Sequence, residues 1–103
     1  MLNSIISNNM NTLKLLLDKH KVQRLYAFGS VCSERFNDLS DIDFLIKFKS
    51  ETTPIERGEN WFALLDGFRL IFKRDVDIIT EDSLLNPYFI ENINSSKELI
   101  YEA

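Results

Sequence analysis

The sequence predicts an α/β fold, a small mixed β-sheet flanked by α-helices. Three observations lead there. Apolar residues alternate at Ile42, Phe44, Ile46 and Phe48, the two-residue period of a strand. Longer stretches carry apolar residues at helical spacing, as in Leu13, Leu16, Leu17 and in Leu64, Leu65, Phe68. The two patterns take turns along the chain, helix–strand–helix–strand–helix–strand–helix, which is the order of a sheet covered by helices. With 103 residues the expectation is one small domain spanning 1–103.

The first helix is expected over 3–19, on Ile5, Ile6, Met10, Leu13, Leu16 and Leu17, with Asn3 or Ser4 at its start. Lys19, His20 and Lys21 close it, cations placed against the negative end of the helix dipole. Residues 22–28 (VQRLYAF) read as a strand. Gly29 permits a tight turn, and Ser30 is placed to cap a short helix over 30–36. Asn37, Asp38 and Ser40 turn the chain into the Ile42–Phe48 strand. Residues 50–60, with Pro54 and Gly58 among Thr and Glu, read as the most loop-like segment. Trp61, Leu64, Leu65, Phe68, Ile71 and Phe72 then trace a long helix over roughly 57–73, with Gly67 open to close packing. A short buried strand follows at Val76, Ile78 and Ile79, and Pro87 suits the first turn of a last helix. Leu99, Ile100 and Tyr101 form a closing apolar segment that either completes the core or serves as a partner surface.

The chemistry concentrates between Phe28 and Ile46. Asp41 and Asp43 sit at alternate positions where the second strand opens, on one face and about 6–7 Å apart. Two carboxylates so spaced can converge on one divalent ion or share two. Oxygen donors favour Mg²⁺ or Mn²⁺ over zinc. Two solvated acids at a strand start are the plain alternative, although Asp is depleted in strands. Gly29 and Ser30 alone read as an ordinary turn and cap, and it is their conjunction with the aspartates that points to a phosphate-binding turn. Asp77, between Val76 and Ile78, joins the cluster if its strand lies beside the first. Three like charges together would call for a cation. Arg74 is either a helix-end cation or a group that reaches a triphosphate. The arrangement as a whole suits a nucleoside triphosphate and its magnesium.

Gly29-Ser30, then Asp41-Ile42-Asp43, then Asp77 within Val-Asp-Ile-Ile, with Arg74 three residues ahead, resembles the DNA-polymerase-beta-type nucleotidyltransferase superfamily. In size the chain is similar to the minimal nucleotidyltransferase (MNT) proteins and the MntA-like antitoxins among them. The likeness runs from about Lys21 to Tyr101. It departs at Val31, where many members carry Arg; Arg35 is the nearest substitute. The resemblance implies a nucleotidyltransferase-like fold and Mg²⁺-dependent transfer of AMP from ATP. Asp41, Asp43 and Asp77 would act as catalytic and metal-binding residues on two ions, and Gly29, Ser30 and Arg74 would bind the nucleotide. It further implies a HEPN-domain toxin as partner, a toxin tyrosine as acceptor, and a role as antitoxin of a type VII-like toxin–antitoxin pair. The shortness of the chain agrees with an acceptor supplied by a partner.

Composition narrows the alternatives. A net charge of −4 without a basic block disfavours binding to long nucleic acids, which draws on cationic contacts with phosphates. No apolar run approaches membrane-spanning length, and the N-terminus lacks the pattern of a signal peptide. The single cysteine, Cys32, cannot form an intrachain disulfide and reads as a packing residue, so a reducing cytoplasm fits. One histidine, His20, argues against a His-rich zinc site. Two rival functions remain: a non-catalytic binding module that neutralises a partner by complex formation, and a nucleotidyltransferase acting on RNA or a small molecule.

Overall fold

The computed structural model describes residues 2–103. Helices α1 (Ser4–Ser7) and α2 (Met10–Lys19) lead into strand β1 (Val22–Phe28). A 3-10 turn over Gly29–Cys32 and an irregular loop connect β1 to β2 (Ile42–Phe48). Helix α3 (Pro54–Phe72), β3 (Val76–Thr80), α4 (Pro87–Ser96) and β4 (Glu98–Glu102) complete the chain. The sheet order is β3-β2-β1-β4, with β2 and β3 parallel and the other pairs antiparallel, so the sheet is mixed as expected.

Three local expectations change, and one left open is resolved. The first helix is two helices, because Asn8 and Asn9 interrupt it. Asn9 Nδ2 donates to the Ile5 carbonyl at 2.7 Å, a side-chain bond competing with the helical ladder. Helix α3 begins at Pro54, inside the stretch that reads as a loop. Thr53 and Glu56 form a reciprocal capping box there and Pro54 fills the first turn, which needs no N–H from it. The short helix expected over 30–36 is only the 3-10 turn, and Ser30 lies inside it rather than capping it. The closing apolar segment is strand β4, paired to β1 from Ala27↔Glu98 to Arg24↔Glu102, with Ile100 buried.

The two faces of the sheet are covered unequally. Ile42, Phe44, Ile46 and Phe48 join Leu13, Leu17, Leu64, Phe68 and Phe72 in the main core. The Phe44 ring centroid lies 4.7 Å from that of Phe68 and 5.9 Å from that of Phe72. Gly67 lets α3 approach α2, since a Cβ there would meet Leu16 Cδ2 at 2.8 Å. On the opposite face, Phe28, Leu45 and Ile93 form a small second cluster that docks α4. This thin cover leaves the rest of that face open beside the aspartates.

Candidate active site

The strand register brings the acids together. Phe28, the last residue of β1, pairs with Asp43, and Asp43 in turn pairs with Asp77 across the parallel β2–β3 ladder. Asp77 therefore meets the condition the sequence left open. Asp41 lies just before β2, and the Ile42 N–H donates to the Asp75 carbonyl at 3.2 Å to start the ladder. Asp43 is half-buried, whereas Asp41 and Asp77 are exposed. Burial, followed by the charges of Asp77 and Asp41, pushes the Asp43 carboxyl above its ordinary value.

Gly29 is pressed directly against Asp43. Its φ is +74°, a conformation that disfavours any side chain. A Cβ built on it would lie 2.6 Å from Asp43 Oδ2. Glycine is required here twice, by its backbone angle and by the carboxylate against it. The Ser30 hydroxyl is 3.4 Å from the Asp41 carbonyl, to which it donates, and so ties the turn after β1 to the entry of β2. Val31, where the resemblance expects Arg, is buried in the main core, and Arg35 is exposed.

Arg74 reaches the loop that precedes Asp41. Its Nη1 donates to the carbonyls of Asn37 and Ser40, both at 3.0 Å, and its guanidinium lies 4.6 Å above the Phe36 ring. Its Nε is buried without an acceptor among the described residues. Within that loop, the Asn37 N–H donates to Ser40 Oγ and the Leu39 N–H to Asn37 Oδ1. The bracing of this loop by Arg74 is invisible in sequence, because nothing local links residue 74 to residues 36–40.

All the candidate ligands are carboxylate oxygens, which suit a hard divalent cation, and the space beside Asp43 is one that any Cβ on residue 29 would fill. Among the described residues, no three His, Cys, Asp or Glu side chains are gathered closely enough to hold a metal as they stand. Mutual repulsion keeps unneutralised carboxylates apart, so closing on a cation requires side-chain adjustment. The residues suit such an ion in kind.

A wider cleft of about 410 Å³ lies elsewhere, at the far ends of β2 and β3, lined by Lys47, Arg57, Trp61 and Asp82 among others. Among the described residues Asp82 is the one acid in its lining, so it offers no group of carboxylates comparable to Asp41, Asp43 and Asp77. Cys32 is held apart from the site's chemistry. Burial pushes its thiol up to about 11, and Sγ donates to the Ala27 carbonyl at 3.4 Å. His20 Nδ1 pairs with Asn60 Oδ1 at 2.9 Å, far from the aspartates in the fold.

Residues 11–103 match the family model for polymerase beta nucleotidyltransferases. The chain belongs to this family. Two proteins of Methanocaldococcus jannaschii are similar to this nucleotidyltransferase across most of their length. "Putative protein adenylyltransferase MJ1379" is 33% identical over 88 residues, covering 85% of this chain and 84% of that protein. "Putative protein adenylyltransferase MJ1217" is 34% identical over 90 residues, with the same two shares. Among solved structures, a crystal structure of a toxin–antitoxin with AMP-PNP superposes with a TM-score of 0.68 at 22% identity, covering 92% of this chain and 74% of that one. A structure described as "putative minimal nucleotidyltransferase" gives 0.67 at 23% identity and covers 95% of both chains. These two establish the nucleotidyltransferase fold. Among the described residues, no helix is long and apolar enough to cross a membrane.

Proposed function

We propose that this nucleotidyltransferase is a Mg²⁺-dependent protein adenylyltransferase, which moves AMP from ATP to a tyrosine of a HEPN-domain toxin and so acts as its antitoxin in the cytoplasm. The observation that carries the reading is Asp43, seated against Gly29 with Asp77 beside it in register and Asp41 two residues before it. The names of the M. jannaschii relatives support protein adenylylation, and the likeness to a toxin–antitoxin solved with AMP-PNP supports both the nucleotide and the partner.

In this reading Asp41, Asp43 and Asp77 face the α-phosphate. The acceptor hydroxyl attacks the α-phosphorus, a P–O bond to AMP forms, and pyrophosphate leaves with the electrons of the broken bond. Asp77, exposed on the edge strand of the sheet, orients that hydroxyl and takes its proton. Gly29 gives the backbone room to approach the phosphates, and Ser30 holds the turn that bears them. Arg74 fixes the loop entering Asp41, and its buried Nε keeps a donor unused among the described residues. Magnesium bound by the aspartates would neutralise charge on the entering and leaving oxygens.

The test combines binding with transfer. ATP and Mg²⁺ should raise the thermal midpoint of the wild type and leave Asp41→Asn/Asp43→Asn unmoved, because only a ligand of the folded state stabilises it. With α-labelled ATP, the label should appear on a co-purified partner protein. Label on RNA or on a small molecule would reassign the acceptor. Partner neutralisation that survives the double substitution would sink the catalytic reading.

A further inference from the structure

Helix α4 presents Phe89, Asn92, Ile93 and Ser96 on one face, the i, i+3, i+4, i+7 spacing of a helical stripe. Ile93 anchors that face on Phe28 and Leu45. The other three stand around a cleft of about 140 Å³ whose opposite wall is Phe28 and Gly29. Gly29 is thus shared between this cleft and the Asp43 carboxylate. A ligand whose reacting atom lies at Asp43 can extend directly into the cleft.

From this geometry we infer that the cleft seats the adenine of the nucleotide, with Phe89 stacking on the base and Asn92 reading its edge. The assignment rests on the nucleotide-transfer reading above and extends it to base specificity. The cleft is far smaller than a site for a whole drug-sized ligand, roughly 300–1,000 Å³, so it suits one heterocycle with the triphosphate lying outside. Phe89 is 41% exposed where it lines the cleft, and flat aromatic rings stack on bases. Asn86 holds Phe89 in place by accepting from the Tyr88 and Phe89 N–H groups at the start of α4. The Asn92 carbonyl accepts from Ser95 and Ser96, while its side-chain amide has no partner among the described residues. A side-chain amide offers a donor and an acceptor together, the complement of the adenine N6/N7 edge. Guanine presents acceptors at both corresponding positions and lacks that match.

Titration calorimetry of ATP, GTP and inorganic tripolyphosphate, each with Mg²⁺, tests this on the wild type, Phe89→Ala, Asn92→Ala and Asn92→Asp. Both residues are exposed, so the variants should fold, and circular dichroism with a thermal midpoint checks that. Phe89→Ala should weaken ATP about tenfold. Asn92→Ala should erase most of the preference for ATP over GTP, and Asn92→Asp, which carries no donor, should weaken ATP further. Tripolyphosphate should bind all four proteins alike. Unchanged ATP affinity and an unchanged ATP/GTP ratio in every variant would overturn the assignment while leaving the phosphate site standing. Unchanged ATP binding with loss of transfer to protein would overturn it in favour of the acceptor's phenol as occupant. Failure of the wild type to bind either ATP or tripolyphosphate would take down the nucleotide-transfer reading together with it.

Discussion

The two ends of the sheet treat charge in opposite ways. At the end where β1 begins and β2 and β3 finish, acids are matched with bases. Lys21 pairs with Glu56, Arg24 Nη2 lies 3.2 Å from Glu81 Oε2, and Arg57 Nη1 lies 3.7 Å from Asp82 Oδ2. At the other end, Asp41, Asp43 and Asp77 come from neighbouring strand positions with no basic partner among the described residues, and Arg74 turns its Nη1 to main-chain carbonyls rather than to a carboxylate. Charges that serve the fold are neutralised within the chain. The uncompensated ones are held where a ligand can bring the missing positive charge, and their repulsion is the cost of keeping that place open.

The largest effects should separate the ends by activity. Asp43→Asn should lower adenylyl transfer at least 10²-fold, read as label incorporated per minute, yet raise the thermal midpoint at neutral pH. A substitution that ends activity while stabilising the fold marks an end built for ligand. A fall in both would break the contrast and make Asp43 a structural residue.

The same change at two glycines sharpens it. Gly29→Ala should reduce transfer by a similar order, because the new Cβ collides with Asp43 Oδ2 and the backbone is at φ +74°. Gly58→Ala, in α3 near the paired end, meets nothing within 4 Å. It should leave transfer unchanged and stabilise by about 0.5–1 kcal/mol through the backbone entropy of the unfolded chain, measured by urea denaturation.

The pH dependence should have opposite signs at the two ends. The folded-state pKa of Asp43 is raised, so its ionised form opposes folding. The stability advantage of Asp43→Asn should be absent below 3.8, grow as pH rises to the raised value, and stay constant above it. Glu56 is held down at about 2 by its hydrogen bonds with Lys21 and Thr53. Its contribution is fully present above 4.5 and is lost as pH falls through about 2. Thermal midpoints of wild type, Asp43→Asn and Glu56→Gln between pH 2 and 7 read both trends.

The smallest effects belong to the paired end. Thr53→Ala should cost about 1 kcal/mol by removing the hydroxyl half of the capping box. Arg57→Ala should cost under about 1 kcal/mol, since its ion pair is solvent-exposed. Neither should alter transfer. A tenfold loss of transfer from Arg57→Ala would instead assign the wider cleft beside it to the reaction.

What was legible in the sequence followed from local rules. Alternation at Ile42–Phe48 and the apolar stripe from Trp61 to Phe72 are periodic, so a period-two strand and a period-3.6 helix appear without knowledge of their neighbours. The features that escaped also have local causes. Pro54, Thr53 and Glu56 look like loop residues until their reciprocal hydrogen bonds make them a helix start. Asn8 and Asn9 look harmless inside a helix until Asn9 takes a backbone acceptor for itself. Phe89 and Asn92 carry no motif at all, and only the docking of Ile93 turns them toward Gly29.

By itself, the sequence determined the types of the main elements, the oxygen-rich chemistry of the aspartates, and the need for glycine at a tight turn. Each of these depends on residue type and on spacing along one strand or helix. The tertiary structure alone decided that Asp77 stands in register with Asp43, that Gly29 is pressed against that same carboxylate, and that Arg74 holds the loop leading to Asp41. Such contacts join segments far apart along the chain. Pairing across the sheet is settled by the burial of whole faces, a property of the assembled fold that no short stretch of sequence contains.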